Sequence, residues 1–407
     1  MQNTSFKRKR KPASSSSSPH FKKNFSKQRP SSGGRGKGVS KLNPNLLVKK
    51  AVETTTQEYI SDRTINELPI SVNLKRALTD KGFTRPTEIQ DQTLESLLEK
   101  RDLLGIAQTG TGKTGAFLIP IIEHILAEQR RAFALVLVPT RELALQVQEE
   151  FESMSKGLHL YSSCFIGGTN INKDLQELRK PAHIVIATPG RLLDLVNRKA
   201  LNLKTFNTLV LDEFDRMLDM GFEKDVMRII DMMERRKHSL LFSATLDKSQ
   251  ERLINTILTD AVTVKVSTGD STGDHIEQDI IRVGKDDNKF DMLCEMLIGQ
   301  DFSKVLVFEE TKHKVNRLCK QLVQQGIQAD QIHGNKSQSA RQNALKSFKA
   351  GKVSVLVATD VAARGIDVSD VTHVINYQMP MTFDSYIHRI GRTGRAGKQG
   401  RAFTFVV

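Results

Sequence analysis

The chain has 407 residues, too many for one ordinary domain and comfortable for two. Hydrophobic residues make up 38%, enough for packed cores, yet no apolar run approaches the ~18 residues of a membrane span. Net charge is +15, but fourteen Lys and Arg and no acid fall within residues 1–50, so the remainder carries only about +1. Any polyanion track on the body must therefore be a local patch rather than bulk charge. The three cysteines, Cys164, Cys294 and Cys319, have no CxxC spacing. That argues against a disulfide framework or zinc site and fits a reducing cytoplasm. The N-terminus is polar and basic, with no apolar segment of the kind a secretory signal needs.

Residues 1–60 read as a disordered basic tail, because the run Ser14–Ser18 and the stretch Ser31–Gly38 bury too little to offset ordering entropy. Such a tail suits sequence-independent contact with phosphates, or simply solubility. Lys7–Lys11 also matches a nuclear-import pattern, one that short basic runs meet often.

Beyond residue 60 strands and helices alternate. Asp102–Ile106 is a short apolar strand, followed by a Gly-rich turn and a helix over Gly115–Leu126. Ala134–Val138 leads into a helix from Arg141, and His183–Ala187, Thr208–Leu211 and Ser239–Phe242 continue the strands. The polar, Gly-rich run Ser267–His275 breaks the pattern and reads as a linker. After it come strands at Val305–Phe308, Val353–Ala358, His373–Asn376 and Ala402–Val407, with helices over Val315–Gln325 and Ser339–Ala350. This alternation predicts two α/β domains, each a parallel sheet flanked by helices, over 61–266 and 276–407. A sheet domain usually follows a strand such as Ala402–Val407 with a closing helix. The second domain is therefore expected either to be cut short or to have its edge covered in another way.

Residues Ala107–Thr114 read Ala-Gln-Thr-Gly-Thr-Gly-Lys-Thr, between a strand and a helix. Glycines there let backbone N–H groups approach phosphate oxygens at a helix N-terminus. Lys113 would neutralise phosphates and the Thr114 hydroxyl would reach Mg²⁺. Later, the strand Leu209–Leu211 delivers Asp212 and Glu213 at its carboxyl end, where ligands bind in open α/β sheets. Asp212 can hold Mg²⁺ through water, and Glu213 can take a proton from an attacking water.

These residues resemble the DEAD-box family of superfamily 2 helicases over about residues 65–407. The family's elements occur in order: Gly82-Phe83 with Pro86–Gln90; Ala107–Thr114; Pro139–Ala144; Gly167-Gly168; Thr188–Arg191; Asp212–Asp215; Ser243–Thr245; Val307-Phe308 near Thr311; Gln338 and Arg341; Thr359-Asp360 through Asp367; and His388–Arg395. Two positions depart from the pattern. Phe214 stands where the family has alanine, and Ile65 where it usually has an aromatic residue.

The resemblance implies two tandem RecA-like domains and an ATP-dependent RNA helicase using ATP and Mg²⁺. Gln90 resembles the adenine reader and Phe83 its stacking partner. Gln108, Thr109, Gly110, Thr111, Gly112, Lys113 and Thr114 look like the phosphate cradle, and Asp367 the ribose contact. Arg392 and Arg395 resemble arginine fingers; with Lys113, Asp212 and Glu213 they make the implied catalytic set. Thr140, Arg141, Gly168, Thr188, Gly190, Arg191, Arg341, Thr359 and Gly365 form the implied RNA track, which positions a backbone without reading its sequence. Asp215, Ser243, Thr245 and His388 look like couplers between the two ligands. Aromatic residues, at 6%, are not interleaved with these loops, so a base-stacking platform is not expected. The implied protein is a cytoplasmic monomer that unwinds short duplexes as its halves close. An ATP-gated RNA clamp and a DNA translocase of the same superfamily stay open as alternatives.

Overall fold

Runs such as Ala-Leu-Val-Leu at 134–137 and Val-Leu-Val-Phe at 305–308 show no polar alternation, and such strands are stable only with both faces covered. The computed structural model describes residues 40, 42–50, 59–108, 110–128, 134–246, 248–266, 275–299, 302–363, 371–394 and 399–407. The expected tail up to residue 39 and the run 267–274 lie outside the described residues.

The first sheet has seven parallel strands: β1 (Leu103–Ile106), β2 (Ala134–Leu137), β3 (Ser162–Phe165), β4 (Ile184–Ala187), β5 (Thr208–Leu211), β6 (His238–Ser243) and β7 (Val262–Lys265). Their spatial order is β3-β4-β2-β5-β6-β1-β7. The second sheet has six: β8 (Ile276–Arg282), β9 (Val305–Phe308), β10 (Ala329–Ile332), β11 (Val355–Ala358), β12 (His373–Asn376) and β13 (Gly400–Val406). Their order is β10-β11-β9-β12-β13-β8, again all parallel.

Alternate residues of the central strands feed cores on opposite faces. Ala134 and Val136 join one core and Leu135 and Leu137 the other, all fully buried. In the second sheet Leu306 and Phe308 point one way, Val305 and Val307 the other.

Of the two alternatives for Ala402–Val407, the structure fits the second: β13 lies between β12 and β8, so a neighbouring strand covers its edge. One expectation is corrected: a tail running to residue 60 does not describe residues 44–50. Pro44–Leu47 is a 3-10 helix, Leu47 is fully buried in the second sheet's core, and Lys49 bridges β8 at Gln278. Apolar content in the short run Pro-Asn-Leu-Leu-Val was enough to dock it where a sheet edge offered backbone partners.

Ile65 and Phe214 both fill core positions. Ile65 is 1% exposed, and its N–H donates to the Thr84 carbonyl at 3.0 Å. Phe214 is 0% exposed, in the same core as Leu211, Met217 and Leu241. Replacing Phe214 with the family's alanine therefore leaves a cavity rather than relieving strain. Phe214→Ala is expected to destabilise the fold by about 3–5 kcal/mol, read as a lower denaturant midpoint with an unchanged slope.

Candidate active site

The loops expected to meet phosphate lie at the carboxyl edge of the first sheet, and strand order sorts them. β5, β6 and β1 are neighbours, so the loops at Asp212–Asp215, Ser243–Thr245 and 107–114 sit side by side. β3, β4 and β2 occupy the other half, so Gly167-Gly168, Thr188–Arg191 and Thr140-Arg141 sit together there.

In the phosphate loop, Gly110 and Gly112 have φ of 93° and 95°. A Cβ on Gly112 would lie 2.5 Å from Thr87 Oγ1 and 2.8 Å from Gln90 Nε2, so only glycine lets the Gln90 side chain approach. Gln90 is 5% exposed. Its Nε2 donates to the Gly112 carbonyl at 3.0 Å and its Oε1 accepts from Thr87 N–H at 3.1 Å. One amide proton and one lone pair remain for a ligand. The Thr111 hydroxyl donates to the Gln108 carbonyl at 2.8 Å, closing the loop on itself. Thr109 lies outside the described residues.

Lys113 begins the helix Lys113–Glu128 and is 6% exposed, yet its Nζ has no hydrogen-bond partner. Opposite it, Asp212 is 2% exposed and accepts the Glu213 N–H at 2.9 Å. Burial pushes the Asp212 carboxyl up to about 6, against the pull of the Lys113 charge and reinforced by Glu213. Glu213 has φ 53°, a left-handed conformation that non-glycine residues rarely adopt. Arg216 Nη1 lies 3.5 Å from Glu213 Oε2, which has no hydrogen-bond partner. Backbone strain thus holds a buried carboxylate with free acceptor capacity beside the phosphate loop.

Asp215 turns the other way. Its Oδ2 accepts from Ala244 N–H at 3.1 Å, Thr245 N–H at 3.0 Å and the Thr245 hydroxyl at 3.0 Å. Ser243 is fully buried, and its hydroxyl donates to the Thr245 carbonyl at 2.6 Å. The loop after β6 is thereby fixed to the acids after β5.

A cavity of about 400 Å³ connects Phe83, Gln90, Lys113, Asp212 and Glu213 with Arg392 of the second sheet's side. Arg392 is 6% exposed and follows the helix Phe383–Ile390, its Nε donating to the His388 carbonyl at 3.3 Å. That helix is held by Arg389, which donates to Asp360 at 2.5 and 2.8 Å and to the Gln378 carbonyl at 2.6 Å. His388 lines a smaller cleft with Asp360 and Arg392. Asp367 and Arg395 lie outside the described residues.

On the other half of the edge, several expected RNA contacts have partners of their own. The Thr140 hydroxyl caps the helix Arg141–Met154, accepting Leu143 N–H at 3.3 Å. Arg191 pairs with Asp174 and donates to the Thr169 carbonyl at 2.8 Å, bracing the Gly167–Thr169 turn. Arg341 pairs with Glu142 at 2.8 Å, and Gln338 Nε2 donates to the other Glu142 oxygen at 3.1 Å. Glu142 is therefore an inter-sheet clamp, which its place inside Pro139–Ala144 did not reveal.

Arg141 is different. Its guanidinium packs on Gly168, at φ 77°, where any Cβ would collide with it. Burial, then the charges of Arg341 and Arg191, push its pKa down. Arg141 forms no salt bridge among the described residues; Glu142 favours its charge, but burial and the two guanidinium neighbours outweigh that pull. Gly190 leaves open space over the first turn of the helix Pro189–Asn197, beside the buried Thr188. Thr359 ends β11's loop on the second sheet, and Gly365 lies outside the described residues.

Comparison with known proteins agrees with this geometry. The DEAD/DEAH box helicase family model matches residues 87–253, and the helicase conserved C-terminal domain matches 288–397. The chain is 43% identical over 343 residues to the DEAD-box ATP-dependent RNA helicase CshA of Bacillus licheniformis, covering 84% of this chain and 70% of that one. It is 42% identical over 341 residues to the ATP-dependent RNA helicase CshA of Limosilactobacillus reuteri, covering 84% and 68%. Among solved structures, S. cerevisiae Dbp5 bound to RNA and ADP BeF3 superposes with a TM-score of 0.76 at 32% identity, covering 84% of this chain and 89% of that one. The DEAD-box helicase Mss116 bound to single-stranded RNA and UDP-BeF gives 0.77 at 32% identity, covering 85% and 76%. With both family models in order and a split pocket of this chemistry between the two sheets, the chain belongs to the DEAD-box family of ATP-dependent RNA helicases.

Proposed function

We propose that ATP binds in the cavity between the sheets, RNA lies along the carboxyl edge of β2, β3 and β4, and closure over both ligands completes the active site. The observation that carries this reading is the buried Lys113 ammonium. It has no hydrogen-bond partner and faces a cavity that Arg392 enters from the other side. A buried cation in that state is costly until an anion arrives.

The β- and γ-phosphates would meet Lys113 and the N–H groups of residues 108–112. Adenine would stack on Phe83 and use the remaining donor and acceptor of Gln90. A wrong base would leave those buried groups unpaired. Asp367 would reach the ribose. Among the described residues no group of three or more His, Cys, Asp or Glu could hold a metal alone. The donor set of Thr114 and Asp212 fits Mg²⁺ that shares the phosphates. When bound, Mg²⁺ would neutralise charge on the β- and γ-phosphate oxygens.

Glu213 takes a proton from the attacking water, since its Oε2 has acceptor capacity left. Arg392 and Arg395 stabilise charge on the transferring phosphoryl group. Asp215, through Thr245 and Ser243, carries the state of this pocket along the sheet edge, and His388 does so from the second sheet. Arg141 supplies the free charge for the RNA backbone. Gly168, Thr188, Gly190, Thr359 and Gly365 give close approach, while Arg191 and Arg341 support the track through their own ion pairs. These contacts carry no base code. No helix among the described residues is long and apolar enough to cross a membrane. All three cysteines are free, as a reducing, cytoplasmic setting would keep them.

Measuring ATP turnover with and without RNA, beside strand displacement, tests the reading. Turnover without displacement would favour an RNA clamp, and equal stimulation by single-stranded DNA a translocase. Lys113→Ala is expected to lose ATP binding, and Glu213→Gln to retain RNA in a long-lived ATP complex. Arg392→Ala should keep ATP binding while turnover falls about 10³-fold or more; normal turnover would remove Arg392 from the mechanism.

Protons and Mg²⁺ compete for Asp212. The acid limb of the turnover profile should therefore fall near pH 6, since below that value the carboxyl is protonated. Raising Mg²⁺ should move the limb to lower pH.

Glu142→Gln, Arg341→Ala and the double variant are expected to be non-additive in RNA affinity. The coupling is about 1–3 kcal/mol. Additive losses would return Arg341 to direct RNA contact.

A further inference from the structure

The described residues of 40–50 and 59–63 precede the first sheet in the chain, yet between them they touch both halves of the molecule. They lie before residue 87, where the first family match begins.

One anchor is on the second sheet. The Leu47 side chain is fully buried in the core that holds Ile276, Val374 and Tyr386. The backbone of Lys49 exchanges both hydrogen bonds with Gln278 of β8, at 2.9 and 2.7 Å, as an antiparallel bridge on the sheet's outer edge. The Tyr386 hydroxyl lies 3.0 Å from Gln278 Oε1 and 3.4 Å from the Leu47 carbonyl. Further back, the Ser40 hydroxyl donates to the Pro380 carbonyl at 2.6 Å.

The other anchor is Asp91, the residue after Gln90 on the helix Glu88–Leu98. The Tyr59 hydroxyl reaches its Oδ2 at 2.5 Å and the buried Ser61 hydroxyl at 2.6 Å, while Arg63 Nε donates to Oδ1 at 2.9 Å. Arg63 also pairs with Glu95 at 2.7 Å, one turn along the same helix. Burial raises the Asp91 carboxyl, but the hydrogen bonds from Ser61, Tyr59 and Arg63 outweigh it and hold it below the usual carboxylate range. Three side chains, Tyr59, Ser61 and Arg63, thus fix the start of the helix that carries Gln90.

We propose that two anchor segments, residues 42–50 on the edge of the second sheet and residues 59–63 on the Gln90 helix, act together as a strap, a positioning element for ATP-driven closure held at Leu47–Lys49 and at Asp91. This rests on the reading of Gln90 as the adenine contact and of closure as the catalytic step. From Lys50 to Tyr59 is nine residues of chain, which can span at most about 30 Å. Separation of the anchors beyond that reach would break one of them. The strap therefore limits opening and raises the effective concentration of one half near the other. Removing it lowers the fraction of molecules competent to bind both ligands, so apparent affinities for ATP and RNA fall together while chemistry in the closed state is untouched.

The experiment uses the full chain, a chain lacking residues 1–39, and the full-length variants Leu47→Asp and Lys49→Pro. Lys49→Pro removes the N–H that bonds Gln278 and fixes the local φ, without placing a charge in the core. Tyr59→Phe with Ser61→Ala tests the other anchor without entering the second sheet. Turnover is measured against ATP and a single-stranded RNA, and amide exchange at Gln278 reports docking. Loss of residues 1–39 removes the basic tail and keeps the strap, so its effect is the tail's alone. Both anchor lesions should raise KM for ATP and for RNA by the same factor, on the order of tenfold, with kcat unchanged. Exchange that shows the strap undocked while both KM values stay at wild type overturns the proposal, as does a fall in kcat at constant KM. If Leu47→Asp fails to fold, Lys49→Pro and the Asp91-side variant decide the matter. Absence of RNA-stimulated turnover in the unmodified chain would instead defeat the helicase reading itself.

Discussion

A buried ammonium without a partner is the constraint around which this molecule is arranged. Lys113 lies in low dielectric beside Asp212, whose own carboxyl burial pushes up to about 6. The Lys113 ammonium has no hydrogen-bond partner, and Glu213 adds a second buried carboxylate in a strained backbone conformation. Under the proposed function, a pocket in that condition favours a species that brings phosphate and a divalent cation together. The Arg392 guanidinium enters the same cavity from the second sheet's side. Chemistry is thereby tied to the relative placement of two packed bodies.

Strand order turns this local chemistry into coupling. Because β6 lies between β5 and β1, the Ser243–Thr245 loop is the physical neighbour of both the acids and the phosphate loop. Three hydrogen bonds into one Asp215 oxygen make that neighbour rigid. β2 pairs directly with β5, so the helix that begins at Arg141 starts beside the acids and carries Glu142 across to Arg341 and Gln338. Ion pairing also decides which arginine is free for a polyanion. Arg191 and Arg341 are neutralised in place, and their nearby guanidinium groups leave Arg141 exposed to repulsion that a phosphate would relieve. A nearly neutral body can in this way present one concentrated positive site.

The central strands of both sheets were legible in the sequence, and so were the loops that follow them. β2, β4, β9 and β11 are continuous apolar runs because both of their faces are covered, and β5 and β12 keep an apolar centre for the same reason. The strands that sequence patterning passed over are β3, β7, β8 and β10, which are the four outer strands of the two sheets. An edge strand is half exposed and carries polar residues, as in Ser-Ser-Cys-Phe or Ala-Asp-Gln-Ile, so its pattern merges with loop. Docking of Leu47 on β8 was missed for the same reason: its partner is an edge, far away in sequence.

Residue chemistry alone marked the turn after β1 and the acids after β5 as the proposed place for phosphate, a divalent cation and a proton acceptor. A Gly-rich turn before a helix and acids after an apolar strand are local devices, readable wherever they occur. Tertiary structure alone decided which charges are cancelled, which stay free and which segment closes each sheet. Glu142, Asp174 and Asp91 look like ordinary surface acids in the chain, and only folding reveals their partners at sequence separations of 199, 17 and 28–32 residues. Coulomb and hydrogen-bond energies depend on distance in space, and nothing in a linear order of residues encodes that distance until the sheets have formed.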